Sequence, residues 1–280
     1  VRLAVVGHVE WVHFVRVERI PTAGEIVHAV ESWEEPAGGG PGAAVQLQKL
    51  GGACHLYTAL GRDELGSRAF EELRSRGLAV HKVFRTDAQR RAVTFVDGDG
   101  ERTITVIGKR LQARGRDRLP WDRLEATDGV YFTAGDEETL RASRQARVLV
   151  CTTRILDLLQ RAGLQLDAVV GSDDDESERY QTGDLEPVPH LAVLTKGERG
   201  GRFSVEGGAW EPFEAPKLPG AIVDTYGAGD SFAAGLTFGL ASGLGPREAI
   251  GVGARCGAAV LTGRGPYEAQ LTSDELGLVH

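Results

Sequence analysis

Short apolar runs alternate along this chain with segments of helical period. Leu3–Val6, Leu56–Leu60, Val130–Thr133, Val148–Val150, Ala168–Val170 and Leu191–Leu194 read as strands. Ala43–Leu50, Ser67–Arg76, Glu137–Arg147, Ile155–Ala162 and Phe232–Ala241 have the spacing of amphipathic helices and fall between or after those runs. The alternation predicts an α/β fold, a mostly parallel sheet with helices on both faces. Ligands of such folds bind outside the carboxyl ends of the strands.

Two stretches depart from this rhythm. Val9–Glu31 mixes Val, Trp, Phe and Ile with charge, as in Phe14-Val15-Arg16-Val17-Glu18. Within Ala92–Ile107, Thr94-Phe95-Val96 and Thr103-Ile104-Thr105-Val106 flank Asp97-Gly98-Asp99-Gly100, and Asp-Gly chemistry suits a hairpin turn. The two stretches predict either a small second sheet standing off the main one, with strands from about 9–31 and 92–107, or extra edge strands of the main sheet. No internal repeat and no low-complexity linker interrupts the chain, so residues 1–280 are expected to form one domain.

Composition narrows the function classes. With 280 residues, 41% hydrophobic and 26% charged, the chain can bury a large core. Its net charge of −8 argues against a general nucleic-acid binder, although local arginine can still serve an anionic substrate. Cys54, Cys151 and Cys256 lie far apart without metal-ligand spacing, which suits a reduced, cytoplasmic protein with small buried thiols. The first residues read as a strand rather than a signal peptide, and no stretch approaches the ~20 apolar residues of a membrane span, so no membrane partner is expected.

The chemistry is concentrated in Asp224-Thr225-Tyr226-Gly227-Ala228-Gly229-Asp230. The run follows apolar Ala221-Ile222-Val223 and precedes the small and apolar Ser231–Leu236, the context of a strand, a glycine turn and a helix start. The first amides of a helix lack intrahelical partners and lie at the positive end of its dipole. Gly227 and Gly229 let that backbone approach an anion closely. A carboxylate at Asp230, beside a place built for negative charge, makes sense as the base that deprotonates a hydroxyl attacking a phosphoryl group. The plainer alternative is an acidic residue that merely complements the dipole.

The same run resembles the C-terminal signature of the ribokinase-like, or PfkB, carbohydrate kinases. That resemblance implies that Asp230 is the catalytic base and that Gly227, Ala228 and Gly229 form the anion hole. It extends over nearly the whole chain. Gly61–Gly66 looks like the family's Gly-x-Asp-x-x-Gly element, and Gly100-Glu101-Arg102-Thr103 is similar to its lid turn. Thr195-Lys196-Gly197-Glu198-Arg199-Gly200, after the strand Leu191–Leu194, matches the Thr-x-Gly-x-x-Gly that cradles nucleotide phosphate. By resemblance Thr195, Lys196, Gly197, Gly200, Asp224, Thr225 and Gly263 face the nucleotide, Gly263 through the looser match at Ala258–Gly265. The resemblance further implies ATP and Mg²⁺, admits a monovalent cation, favours the lid reading of the small sheet, and suggests a homodimer formed lid to lid.

The departures fall on the sugar side. Val12 stands where the family has a sugar-binding Asp, and Glu10 replaces an Asn. Gly42 closes Ala37-Gly38-Gly39-Gly40-Pro41-Gly42 where another Asn is usual, with Gly38 and Gly39 in the same motif. Loss of such polar partners weakens recognition of a hydroxyl-rich ligand. Glu10, His8 and His13 are the nearby substitutes, although an exposed or lid position without a role is the preferred reading of both histidines. Ser172-Asp173-Asp174-Asp175 replaces the family's Asn-x-x-Glu, and Asp175 is the candidate for its Mg²⁺-organising role. The acidic run Asp173–Glu178 otherwise reads as a solvated loop. Arg154 resembles a family arginine and is expected to face phosphate or substrate, or else to pair with a surface carboxylate. The expected activity is ATP-dependent phosphorylation of a small sugar-like hydroxyl. The alternatives are a nucleoside kinase, with an apolar wall at Trp11 and Val12 stacking a base, and a non-catalytic nucleotide- or sugar-binding homologue.

Overall fold

The computed structural model describes residues 1–278. The first half contains β1 (Leu3–Val6), β2 (Glu10–Arg16), β3 (Glu31–Ala37), α1 (Gly39–Gly51), β4 (Cys54–Gly61), α2 (Glu64–Ser75), β5 (Ala79–Arg85), β6 (Arg91–Val96) and β7 (Arg102–Ile107). The second contains β8 (Gly129–Phe132), α3 (Glu137–Ser143), β9 (Val148–Thr152), α4 (Leu156–Ala162), β10 (Ala168–Ser172) and β11 (Leu191–Thr195). It ends with β12 (Gly201–Val205), β13 (Glu211–Phe213), α5 (Ala228–Ala241) and α6 (Pro246–Val260).

The main sheet has nine strands in the order β13-β12-β11-β10-β9-β8-β1-β4-β5, parallel from β5 to β11 and antiparallel over β12 and β13. Successive residues of β1 point to opposite faces. Leu3 and Val5 join Leu47 of α1, Phe232 and Leu236 of α5 and Ile250 of α6, while Ala4 and Val6 join Leu140 of α3 and Leu159 of α4. Burial on both faces is why these strands are apolar throughout. Strand order reverses at β1, which has β4 on one side and β8 on the other. A crevice is expected at such a switch point.

The small sheet is separate, with four strands in the order β3-β2-β6-β7. Its second strand is Glu31–Ala37, beyond the 9–31 stretch from which the strands were expected, and residues 17–30 connect β2 to it. The strand forms where Trp33 stacks on Phe14 with ring centroids 4.8 Å apart and Ala37 joins Val12 in a buried cluster. Strands β5, β12 and β13 and helix α6 escaped the sequence reading. β5 lacks the continuous apolar run because none of its residues is fully buried. α6 is rich in Gly and Ala, so its apolar face is muted.

Candidate active site

Helix α5 presents the predicted base. Gly227 caps it with φ 86°, a left-handed backbone that turns the chain into the helix, and Asp230 lies in its first turn. A Cβ at Gly229 would meet nothing within 4 Å, so open space lies beside this amide row. Asp230 is partly exposed. Burial raises its pKa above the ordinary carboxylate range, and nearby Arg154, His8 and Arg102 oppose the shift. A raised pKa brings a carboxylate closer to the working pH of a general base.

A second helix start meets the first. Gly38 caps α1, with φ 92°. A Cβ at Gly39 would lie 3.4 Å from Asp230 Oδ1, and one at Gly42 would lie 3.5 Å from Asp230 Cβ. The glycine motif therefore packs its backbone against the acid. Gly38 N–H donates to the Tyr226 hydroxyl at 3.2 Å, and Gly40 N–H to the His8 carbonyl at 3.2 Å. His8 is buried rather than exposed, because it follows β1 directly into this junction. Its Nε2 lies 3.5 Å from Glu10 Oε1, while its Nδ1 has no partner. Burial works against the Glu10 charge, but His8, Arg90 and Arg110 together hold its pKa below the usual value.

Val12 and Trp11 do not form an open wall. Val12 is 0% exposed, packed with Phe14, Ala37, Ala92, Val96 and Tyr226 in the small sheet's own core. Trp11 points the other way, into the main core, under the Arg68 guanidinium at 4.4 Å. Alternation along β2 sends neighbouring side chains to opposite faces and buries both. His13 is exposed, 4.0 Å from Glu34.

Asp224 and Thr225 tie three loops together. The buried Asp224 carboxylate accepts from Tyr226 N–H at 2.8 Å and from Gly265 N–H at 3.0 Å, which positions the Gly263–Gly265 turn beside the glycine run. Burial raises its pKa despite those two donors. Thr225 N–H donates to the Gly100 carbonyl at 3.0 Å, and Arg102 donates to the Thr225 carbonyl. Thr225 Oγ1 is buried without a partner. A buried hydroxyl without a partner is unfavourable in isolation and fits a bound polar ligand.

Arg154, just after β9, pairs with Glu178 and with Asp175 at 3.1 Å. The acidic run is thus more than a solvated loop. Asp173 receives two hydrogen bonds from Arg202, at 2.8 Å each, and Glu178 is largely buried with its pKa raised by burial. Asp175 already accepts from Ser177 N–H at 2.9 Å. Among the described residues no three His, Cys, Asp or Glu side chains gather to hold a metal ion. That donor set fits a hydrated cation touching one or two carboxylates, not a dedicated protein cage.

The Thr195–Gly200 segment leaves the carboxyl end of β11, in register with Ser172 of β10. Lys196 N–H donates to Gly200 carbonyl at 2.7 Å and closes the loop. A cavity of about 390 Å³ beside it is lined by Asp173, Arg179, Tyr180, Gln181, Lys196 and Arg202. The sequence reading missed Arg90, Arg110, Glu178 and Tyr226. Their adjacency to Glu10, Arg154 and the glycine run is set by chain crossings that no local motif marks.

Two glycine-capped helix starts meet around one carboxylate in a mostly parallel switch-point fold, an arrangement that suits an anionic ligand. Residues 2–169 and 137–273 match the family described as pfkB family carbohydrate kinase, and the chain belongs to that family. An ATP-dependent ribose-1-phosphate kinase of Halopiger xanaduensis is 29% identical over 84% of this chain and 83% of its own length. A fructokinase of Salmonella typhimurium is 25% identical over 84% of this chain and 90% of its own. The solved ribokinase of Thermotoga maritima superposes with a TM-score of 0.79 at 20% identity, covering 98% of this chain and 97% of that one. The Arabidopsis thaliana ribokinase complexed with ribose and ATP gives 0.76 at 18% identity, covering 99% and 97%. These superpositions show the ribokinase-like fold.

Proposed function

We propose that this carbohydrate kinase transfers the terminal phosphoryl group of ATP to a hydroxyl of a small sugar-like molecule. The observation that carries the reading is Asp230, partly exposed in the first turn of α5, with open space beside Gly229. Asp230 takes the proton as the acceptor oxygen bonds to phosphorus and the bond to the departing ADP oxygen breaks. The amides of Gly227, Ala228 and Gly229 receive the charge that spreads over the transferring oxygens. Thr195, Lys196, Gly197 and Gly200, with Asp224, Thr225 and Gly263, form the nucleotide side; the unpartnered Thr225 hydroxyl supports this. Glu10, Gly38, Gly39, Gly42 and Arg154 form the sugar side. Val12 acts beneath that side as packing.

Mg²⁺, when bound with the nucleotide, neutralises phosphate charge; Asp175 and Glu178 are the carboxylates that would hold its hydration shell. A monovalent cation is a further candidate activator. The small sheet serves as a lid that limits water access to the phosphoryl group. Its edge strand β7 leaves Ile104, Val106 and Ile107 exposed, which supports a homodimer formed through the lid. Among the described residues no helix is long and apolar enough to cross a membrane, and we place the protein in the cytoplasm. The test is a coupled assay with MgATP over sugars, sugar acids and nucleosides, comparing the native protein with Asp230→Asn. Transfer that survives the substitution unchanged would remove Asp230 from the reaction.

A further inference from the structure

The carboxyl ends of β1 and β8 meet close to Asp230. The two strands pair in parallel with Val6 opposite Phe132, so Gly7 and Thr133 leave the sheet side by side at the switch point. Thr133 N–H donates to the Val6 carbonyl at 2.8 Å, which fixes its backbone against β1. The two ends of its side chain have different neighbours. A Cβ at Gly7 would lie 2.7 Å from the Thr133 methyl carbon, and one at Gly39 would lie 2.7 Å from the Thr133 hydroxyl oxygen. The methyl is therefore seated on β1's exit, and the hydroxyl is turned towards the glycine motif of α1. A β-branched side chain is stiff about χ1, so seating the methyl also sets the direction of the hydroxyl.

The point beside Gly39 that this hydroxyl approaches is also 3.4 Å from Asp230 Oδ1. Both groups are uncommitted. Thr133 is only 5% exposed, yet among the described residues its hydroxyl forms no hydrogen bond, and it is not sealed from solvent. The Asp230 carboxylate likewise accepts no hydrogen bond and joins no ion pair within 4.0 Å among the described residues. The neighbouring polar groups are already engaged, with His8 at 3.5 Å and Arg90 at 2.8 Å from Glu10 Oε1. Val12 is sealed in apolar packing. Enclosed polar groups require partners, and an alcohol oxygen satisfies both of these at once. It donates its proton to a carboxylate and accepts from a hydroxyl, with a second lone pair left over.

We infer that Thr133 binds the acceptor, its hydroxyl donating to the oxygen that Asp230 deprotonates. The inference rests on the reading of Asp230 as the base. In the transfer the acceptor's proton passes to Asp230, a lone pair of the acceptor oxygen forms the bond to phosphorus, and the bond from phosphorus to the departing ADP oxygen breaks. Thr133 keeps its own proton. Its part is to hold the attacking oxygen against the carboxylate, which lowers the orientational cost of the step.

The test sets Thr133→Val, which keeps the branched shape and removes the hydroxyl, against Thr133→Ser, which keeps the hydroxyl and removes the methyl. Initial rates with MgATP are measured on ribose, fructose, ribose 1-phosphate and adenosine. Calorimetry follows binding of the same molecules and of ADP, and thermal melts follow the fold. Thr133→Val is expected to lower kcat/KM for the acceptor by about tenfold or more, the loss of one hydrogen bond at the reacting oxygen, with ADP affinity nearly unchanged. Thr133→Ser should keep most of kcat/KM and yet melt at a lower temperature, because the methyl's seat on Gly7 is lost. A purely packing role predicts the reverse, with activity following the melting temperature. That result, or an unchanged kcat/KM in Thr133→Val, overturns the inference. If Thr133→Val does not fold, Thr133→Ser against Thr133→Ala isolates the same hydroxyl: a further loss in the alanine variant supports the contact, and equal rates overturn it. Binding of a panel member that weakens in Thr133→Val, without transfer to any of the four by the native protein, supports the contact and overturns the kinase reading. Absence of both binding and transfer across the panel overturns the two together.

Discussion

The backbone N–H of Thr225 donates to the carbonyl of Gly100 at 3.0 Å, so the tip of the β6–β7 hairpin is fastened to the loop that leads into α5. Arg16 reaches the same loop, with Nη1 3.2 Å from the Val223 carbonyl. The small sheet is therefore joined to the chemistry by its turn as well as by its strands.

Gly100 adopts φ 81°, and a Cβ there would lie 3.0 Å from Ile222 Cγ2. Gly100→Val is expected to destabilise the protein by about 1–3 kcal/mol, as a β-branched residue in the left-handed region would. Urea denaturation reads the loss. Steady-state kinetics should show kcat/KM falling further than stability alone explains, because the hairpin tip no longer seats on Thr225.

Gly227 and Gly229 should respond oppositely to Ala. At Gly227, φ 86° and a Cβ only 3.0 Å from Pro266 make Gly227→Ala lower the melting temperature. At Gly229 a Cβ meets nothing within 4 Å, so folding is expected to be unharmed. The added methyl instead occupies the approach to the amide row, and kcat should drop by at least about tenfold, the lower end of losing an oxyanion-hole donor being larger still. Calorimetric melting beside single-turnover rates separates the two.

Asp230→Asn is expected to lower kcat by roughly 10²–10⁴-fold with ADP affinity nearly unchanged. It should also stabilise the fold at neutral pH. The folded-state pKa of Asp230 is raised above its ordinary 3.8. The unfolded chain therefore releases this proton first as pH rises, and stability falls from that point until the folded carboxyl has ionised too. The variant's advantage should be present above the folded pKa and vanish below the unfolded one. Thermal melts of both proteins across acid and neutral pH check the sign.

His55 Nδ1 and His81 Nε2 lie 2.8 Å apart at the β4–β5 edge, and burial, aided by His55 and Arg123, lowers the His81 pKa to about 4. A depressed histidine favours the neutral form in the fold, so stability should decline as pH drops from the unfolded value of 6.5 through about 4. His81→Gln should flatten that decline in urea midpoints measured across the interval; an unaltered slope would assign it to other groups.

The parallel sheet and the glycine run were legible because each is written locally. β1, β4, β8, β9, β10 and β11 are covered on both faces and so read as apolar runs. Asp224–Asp230 needs its residues at consecutive positions to turn the chain into a helix, although the strand expected at Ala221-Ile222-Val223 does not form: that segment is an irregular loop with Ile222 exposed. His8, by contrast, looked like a surface histidine, and Val12 like a substrate contact. Neither position's burial is set by its sequence neighbours alone. Val12 is sealed by Tyr226 and Ala37, and His8 by the arrival of Gly38–Gly40.

By itself the sequence determined the fold class, the place of Asp230 at a helix start and the turn chemistry of both glycine motifs, since periodicity and φ preference act over a few residues. Only the tertiary structure decided which charges meet around Glu10 and Arg154. Arg90 reaches Glu10, and Asp175 and Glu178 reach Arg154, across chain crossings, and electrostatic balance depends on distance in space rather than along the chain.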